Sequence, residues 1–368
     1  GERDADGAAR AAVQALLLGG GVALVLGVLG ARFAPRVLEV MGASPSVVAG
    51  GGSYARIMLG GNATVLLLFL INAIFRGAGD AAIAMRVLWL ANAINIALGP
   101  CLIFGLGPFP RLGVAGAALA TNIGRGTGVL YALSRLLRPG SRIDIRARHI
   151  RLDRPVLRRL TRLSATGALQ TLVGTASWIA LVRILAAFGG AVVAGYTIGM
   201  RVIMFALLPS WGLANAAATM VGQALGARKP DRAERAVWIA GTYNLAFLGS
   251  IGLAFVLGAG PIVGIFTSDP GVRPFAVDCL RVIALGFVFY AYGMVLAGSF
   301  NGAGDTTTPT VLNVLVFWIG EIPLAYALAH VLKLGPHGVF VAIALSFSLL
   351  ALLSAIIFRR GRWKLREL

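Results

Sequence analysis

Glu321 is an acidic residue in the middle of the apolar run 308–333. An ionised carboxylate at the depth of a membrane centre costs several kcal/mol, so we expect it to be protonated, paired or turned toward a water-filled cleft. A carboxyl group in that position could accept and release a proton, or balance the charge of a cationic molecule. The alternative is a neutral glutamic acid that hydrogen-bonds between two helices.

Two asparagines, Asn92 and Asn95, lie three positions apart and therefore share one helix face. Gly99 continues this face one turn later. Such a small and polar stripe can line a cleft, or it can let two helices approach and hydrogen-bond. The sequence leaves both interpretations open. Gln170 and Asn215 also lie in apolar runs, where an amide joins helices more often than it binds a ligand.

A set of aromatic and thioether side chains could bind apolar cations of variable shape through cation–π and soft contacts. Ordinary packing, or anchoring at the membrane interface, is the alternative for each of them. The candidates are Tyr290, Tyr292, Met294 and Trp318, together with Trp178 and Met200.

Asp80 and Asp305 each follow a Gly-Ala-Gly sequence and precede an apolar run. This order is typical of a helix N-cap, in which the carboxylate accepts hydrogen bonds from free backbone N–H groups. A role in a cytoplasmic gate is the alternative, and we favour the structural role.

Other reactive chemistry is sparse in this sequence. The three histidines are scattered, Cys101 and Cys279 form no CxxC pair, and neither a Gly-x-Ser-x-Gly elbow nor a phosphate-binding loop occurs. A membrane-embedded enzyme would need His, Asp or Ser groups converging near one interface. We therefore expect no enzyme, no metal site and no cofactor other than a coupling ion.

The composition indicates which elements must position these side chains. The 368 residues are 58% hydrophobic and only 13% charged, with a mean hydropathy of +0.84, whereas soluble domains are roughly 25% charged. A bilayer crossing takes about 20 apolar residues. The sequence predicts an all-α polytopic membrane protein with ten crossings, at 10–33, 55–75, 83–106, 112–136, 164–187, 193–222, 235–267, 275–299, 308–333 and 337–358.

The net charge of +19 is explained by membrane topology, because Lys and Arg near span ends are retained in the cytoplasm. Ten arginines lie between Arg135 and Arg162. With this stretch inside, one side collects 23 basic residues and the other seven, which predicts that both termini are cytoplasmic. The excess of 30 Arg over three Lys indicates a GC-rich prokaryotic genome, so we expect a protein of a prokaryotic inner membrane. The same arginines should contact anionic lipids rather than nucleic acid.

An internal repeat divides the chain. Arg76-Gly77-Ala78-Gly79-Asp80 recurs as Asn301-Gly302-Ala303-Gly304-Asp305 at an offset of 225, and the region after Gly1 matches that after Gly226 at the same offset. After a shift of three, Leu112-Gly113 matches Leu334-Gly335. Six apolar runs separate Gly1 from Gly226, so the copies should cross the membrane in the same direction. Parallel repeats of this kind occur in secondary transporters, with function at their interface.

The repeat predicts the domain organisation. We expect an N-terminal bundle at 1–137 with the last four helices of six, a basic cytoplasmic linker at 138–163 and a six-helix bundle at 164–368. The second copy has two spans before Gly226 that the first copy lacks. The arithmetic predicts that roughly 60 residues and two helices precede Gly1 in a twelve-helix protein, and that the 368-residue chain alone does not transport.

Five stretches of the chain form an ordered set of motifs: Phe75-Arg76-Gly77-Ala78-Gly79-Asp80, Asn95-Ile96-Ala97-Leu98 with Pro100, Leu112-Gly113-Val114-Ala115-Gly116, Val221-Gly222-Gln223, and Asn301 to Asp305 with Ile322-Pro323-Leu324-Ala325-Tyr326. In their order and spacing they resemble the multidrug and toxic compound extrusion (MATE) family along essentially the whole chain. The resemblance implies two bundles facing a cleft, with a Na⁺ or H⁺ gradient driving export of bulky amphiphilic, often cationic compounds by a monomeric antiporter in the membrane. A lipid-linked saccharide flippase of the same superfamily is the alternative.

The chain also departs from the pattern of that family. Gly99 stands where members commonly carry Asp before the Pro, and the acids used for Na⁺ coupling on the seventh and tenth helices have no counterpart, the latter falling near Tyr290. A proton-linked acid on the first helix would precede Gly1. The resemblance therefore leaves the choice between H⁺ and Na⁺ open.

Overall fold

The structure is a computed structural model that describes residues 5–40, 45–138, 143, 145 and 149–365. Within these residues every regular element is helical. The helices are α1 (Ala5–Val40), α2 (Pro45–Gly60), α3 (Asn62–Gly77), α4 (Ala81–Phe104), α5 (Val114–Leu136), α6 (Arg154–Ala186), α7 (Gly190–Gly226), α8 (Pro230–Phe266), α9 (Arg273–Leu285), α10 (Phe287–Gly302), α11 (Thr307–Val331) and α12 (Pro336–Arg359). A 3₁₀ turn, Arg362–Leu365, follows α12.

The chain divides between Thr161 and Arg162 into two compact units. The first contains α1 to α5, and its core is built from small and branched side chains such as Ile71 and Val87. The second contains α7 to α12 and all but the beginning of α6. Its larger core includes Tyr196, whose ring stacks on that of Phe340 with centroids 6.2 Å apart.

The ten predicted crossings correspond to ten helical segments, because α2 with α3 and α9 with α10 are each one segment with a break. In the part of the chain that the structure describes, eight helical segments are long and apolar enough to cross a membrane, or nine if the α9–α10 pair is counted. The tenth, α5, falls short on composition although it has 23 residues, since it carries Arg125 and Arg135 among Gly, Asn and Thr.

The two breaks occupy the same repeat position, because Gly61 and Gly286 are 225 residues apart. In the second copy α9 and α10 bend by 61° at Gly286. In the first copy α2 and α3 continue as one span, and Asn122 donates a 2.9 Å hydrogen bond to the Ile57 carbonyl beside the break. Thr64 in turn donates to the Asn122 carbonyl oxygen over 3.0 Å. These two hydrogen bonds stabilise the α2–α3 segment in a less bent conformation than the α9–α10 segment.

The turn before α4 and the turn before α11 also have the same backbone geometry. Asp80 N donates to Phe75 O over 2.8 Å, and Asp305 N donates to Phe300 O over 2.9 Å. Gly79 and Gly304 take φ values of +82° and +73°, a region that favours glycine. The repeat found in the sequence is therefore present in the local structure of both units.

α6 begins at Arg154, inside the stretch 138–163 expected to be a linker. Asp153 starts it, because its carboxylate accepts a 3.2 Å hydrogen bond from Val156 N, and Pro155 suits the first turn. The arginines of this first part of α6 are exposed. Of the remaining linker arginines, Arg142, Arg146 and Arg148 lie outside the described residues, as do Arg3 and Arg366 of the basic termini.

Candidate functional site

Glu321 lies inside the second unit, on α11, with 2% of its surface exposed. Its Oε2 atom accepts a hydrogen bond of 2.7 Å from the hydroxyl of Ser177 on α6, which is equally buried. In the described part of the chain no Lys or Arg forms a salt bridge with this carboxyl group. Glu321 is thus a lone acid held by one hydroxyl donor.

Further hydrogen bonds connect α6 to α11 along the same face. The Trp318 indole donates to the Val173 carbonyl over 3.0 Å. Closer to the start of both helices, the hydroxyl of Thr310 donates to the carbonyl of Thr166 over 3.3 Å, and the hydroxyls of Thr166 and Thr306 lie 2.5 Å apart. These three contacts, together with the Ser177–Glu321 bond, join α6 to α11.

Two phenol side chains lie near the carboxyl group of Glu321. The phenols of Tyr196 on α7 and Tyr290 on α10 lie close enough to interact electrostatically with Glu321. Tyr290 packs edge-on against Phe347 with ring centroids 4.4 Å apart, and Phe347 also contacts Phe317. The polar groups placed near Glu321 are thus one hydroxyl donor and two phenols, and Tyr290 itself packs against an apolar ring.

α11 is distorted where it carries Glu321. The segment Val314–Glu321 is a π-helix, and Ile322 N donates to Phe317 O, five residues earlier. Pro323 follows at once and has no backbone N–H to donate. π-Helical turns concentrate at functional sites because they displace side chains from the regular helix pattern.

The other predicted residues of the second unit lie in different surroundings. Met294 is 7% exposed in the core. Tyr292 packs against Trp238 with centroids 6.0 Å apart, and its hydroxyl lies 3.2 Å from that of Thr242. Asn215 is exposed on α7, and Gln170 is half-buried on the α6 face that carries Thr166 and Ser177. Trp318 and Tyr290 are thus the predicted residues that share the surroundings of Glu321.

Asn92 and Asn95 lie in the first unit. Asn92 is exposed, whereas Asn95 is half-buried and its Oδ1 accepts a 3.3 Å hydrogen bond from Thr121 on α5. A Cβ atom added to Gly124 would lie 3.2 Å from the Asn95 Cβ, so the two helices are in close contact there. Asn95 therefore joins α4 to α5.

Asp80 and Asp305 are both at helix starts. Asp80 accepts a 3.3 Å hydrogen bond from Ile83 N. Asp305 accepts bonds from Thr308 N over 3.2 Å and from the Thr308 hydroxyl over 2.6 Å. Each carboxylate thus occupies the free N–H groups of the helix it precedes.

Sequence reasoning missed Ser177 and Tyr196. A signal for Ser177 existed, because Thr166, Gln170 and Ser177 are spaced by four and seven residues and so share one face of α6. Tyr196 had no such signal, because its position near Glu321 depends on how α7 packs against helices distant in sequence. Among the described residues, no group of three His, Cys, Asp or Glu side chains could hold a metal ion.

Comparison with known proteins places these features in context. The profile of the family MatE matches residues 1–101 and 165–327. The "Probable multidrug resistance protein NorM" of Thermotoga maritima is 26% identical over 85% of this chain and 67% of that protein. The "Probable multidrug resistance protein YoeA" of Bacillus subtilis is 26% identical over 90% of this chain and 72% of that protein.

Solved structures give the same result. A structure described as the outward-facing conformation of a multidrug resistance MATE family transporter of the MOP superfamily matches with a TM-score of 0.89 and 26% identity. The match covers 98% of this chain and 80% of that one. A crystal structure of MATE in complex with MaL6 matches equally well.

Proposed function

Because the chain belongs to the MATE family, whose members are transporters and not enzymes, we propose that it exports bulky amphiphilic, often cationic compounds by alternating access. A gradient of H⁺ or Na⁺ drives this antiport. The protein crosses the membrane several times. We further propose that it resides in the inner membrane of a prokaryote as a monomer in contact with lipids, with both termini in the cytoplasm.

The observation that carries the proposal is the buried carboxyl group of Glu321, which forms no salt bridge within the described part of the chain. Burial disfavours the charged form of an acid, whereas the hydroxyl bond from Ser177 favours it. An acid balanced in this way can change its protonation state, or exchange a proton for a cationic molecule, when its surroundings become accessible to water. This is the property that coupling of export to an ion requires.

Transport by the full-length protein in proteoliposomes tests this assignment. With ethidium as cargo and either a pH or a Na⁺ gradient imposed, the wild type should export in response to one of them. Glu321→Gln cannot ionise, so we expect ion-driven export to fall at least ten-fold, and Glu321→Asp to retain part of it. Glu39→Gln removes an exposed carboxyl group on α1 and serves as the matched control. Unchanged export and pH dependence in Glu321→Gln would contradict the role of this residue.

The topology has its own test. Cysteines introduced at Arg360 and at Leu334, which follow and precede α12, should react with an impermeant thiol reagent from opposite sides of intact cells. Labelling of position 360 from outside would contradict cytoplasmic termini. The chain's own Cys101 and Cys279 would first be replaced by Ala.

A further inference from the structure

α11 contains one residue more than its repeat counterpart, α4. The two helices begin alike, at Asp80 and Asp305. They also end alike: Leu112 N donates to Leu102 O over 2.9 Å, and Leu334 N donates to Leu328 O over 3.1 Å. Leu102 follows Asp80 by 22 positions, whereas Leu328 follows Asp305 by 23.

The extra residue lies in the π-helical segment Val314–Glu321. α4 is α-helical throughout, so it has no equivalent of this segment. A second π-helical turn, Ala327–Val331, closes with the bond from Leu332 N to Ala327 O. That bond does have a counterpart in the first copy, from Leu106 N to Cys101 O. The insertion is therefore confined to the turn that ends at Glu321.

An inserted residue turns the following side chains by about 100° relative to the preceding ones, because an α-helix has 3.6 residues per turn. Counted back from Leu328, Glu321 aligns with Asn95, which bonds to Thr121 on α5. Counted forward from Asp305, it aligns with Ile96, which is 74% exposed. Glu321 neither bonds to α12, as Asn95 does to α5, nor is exposed like Ile96. It bonds to Ser177 on α6 instead.

The neighbouring helices explain why this direction matters. The repeat position of Thr121 on α12 is held by Ile343, which is 3% exposed and has no polar atom to offer. A carboxyl group directed there would lack a partner. The hydroxyl of Ser177 on α6 donates to Glu321 instead. The titratable side chains that interact with Glu321 from α7 and α10 are the phenols of Tyr196 and Tyr290.

We propose that the inserted residue of α11 directs Glu321 toward α6, and that Ser177 is the positioning residue that holds the carboxyl group there for ion-coupled export. This inference rests on the proposed function for its transport consequences. Its geometric part stands independently, because it concerns which helix Glu321 faces.

Deletion of Gly320 tests the role of the insertion. The deletion should convert the π-helical turn to α-helix, so that Glu321 aligns with Asn95 when counted from either end of the helix and faces Ile343. We expect a folded protein whose export falls to the level of Glu321→Gln. Deletion of Ile94 in α4 is the matched control, because a plain α-helix has no residue to spare and this deletion should abolish folding.

Chemical cross-linking reports the geometry without transport. With Cys101 and Cys279 replaced by Ala, the pair Ser177→Cys and Glu321→Cys should be joined by a short bifunctional thiol reagent in the otherwise unaltered protein. This cross-link between positions 177 and 321 should be lost when Gly320 is also deleted. Cross-linking that survives the deletion would overturn the proposal. Cross-linking that behaves as expected, combined with normal export by Glu321→Gln, would instead refute the proposed function alone.

Ser177 is tested separately, in case the deletion variant fails to fold. The Ser177 hydroxyl donates to the ionised carboxylate, so Ser177→Ala should shift the pH of half-maximal export upward by about one unit. Ser177→Thr keeps a hydroxyl and should restore the profile. Thr171→Ala removes an exposed hydroxyl from α6 whose hydrogen bond, among the described residues, goes to the Gly167 carbonyl of the same helix, and it should leave the profile unchanged. An unaltered pH profile in Ser177→Ala would contradict a positioning role.

Discussion

Asp6 and Asp231 occupy the same position in the two copies of the repeat, and each contacts a basic side chain that follows the last helix of its own copy. The Asp6 Oδ1 lies 3.2 Å from His149 Nε2, and the Asp231 Oδ1 lies 3.5 Å from Lys364 Nζ. The chain thus returns from α5 to the first turn of α1 in the first unit, and from α12 to the first turn of α8 in the second. The contact joins these helix ends in each unit.

Lys364 should stabilise the second unit slightly and in a pH-dependent way. Its ammonium group lies 2.5 Å from the Glu234 carboxylate, and the hydrogen bond to Glu234 raises the pKa of Lys364 above its usual value of 10.5. A raised pKa means that the stabilisation is complete below about pH 10 and is lost as the pH rises through the folded-state pKa. Because the pair is close to solvent, we expect Lys364→Gln to cost only about 0.5 kcal/mol at pH 7.

Thermal unfolding in detergent at pH 7 and pH 11.5 checks this prediction. The difference in unfolding temperature between wild type and Lys364→Gln should be present at the lower pH and smaller at the higher one. Lys333→Gln, at the opposite end of the second unit, is the control and should show no such pattern. If the difference in unfolding temperature between wild type and Lys364→Gln grew with pH, the predicted stabilisation by protonated Lys364 would be wrong.

Much of the fold could be predicted from the sequence because membrane burial leaves a strong local signal. Each apolar run became a helical segment, and even the breaks at Gly61 and Gly286 keep the repeat offset of 225. The turns before α4 and α11 were also predictable, because their sequence signal is local. Their Gly and Asp residues each have a local backbone role.

The surroundings of Glu321 were less predictable. Its depth in a run of apolar residues was evident, but its partner on α6 depends on how that helix packs against α11. The inserted residue was hidden as well. The repeat offset falls from 225 at Asp305 to 222 at Leu334, and this fall is the sum of two opposite changes in length. It combines one added residue in α11 with a shorter loop before Leu334, and only the hydrogen bonds of Leu102 and Leu328 separate the two.

The caps at Asp305 and Asp80 should contribute unequally to stability. Removal of an N-cap carboxylate costs about 1 kcal/mol. Asp305 also accepts from the Thr308 hydroxyl and is 5% exposed, so we expect Asp305→Ala to cost about 2 kcal/mol and Asp80→Ala about 1 kcal/mol. Asp305→Asn can still accept from the backbone and should recover most of the loss. Unfolding temperatures measure these effects, and transport loss in a fully stable Asp305→Asn protein would favour a gating role instead.

Gly338 should not tolerate a side chain. A Cβ atom there would lie 2.7 Å from the Leu328 carbonyl carbon, and backbone atoms cannot move aside cheaply. Gly338→Ala should therefore destabilise the protein by about 1–3 kcal/mol through overpacking. Gly249→Ala on α8 meets no atom within 4 Å among the described residues and should be neutral or slightly stabilising. Equal unfolding temperatures for the two variants would show that α11 and α12 are less closely packed than described.

Asn95 should matter for stability but not for coupling, although it aligns with Glu321 when the repeat is counted from Leu328. Its amide cannot ionise in the physiological range, and it is already engaged by Thr121. Asn95→Ala leaves the Thr121 hydroxyl with only the Ala117 carbonyl of its own helix, so we expect a loss of about 1 kcal/mol. Asn92→Ala, at an exposed position, should cost less than half as much. Both variants of the full-length protein should keep the pH profile of ethidium export. A shifted profile in Asn95→Ala alone would mean that ion coupling also involves the first copy, and that the extra residue of α11 does not by itself account for the difference between the two halves.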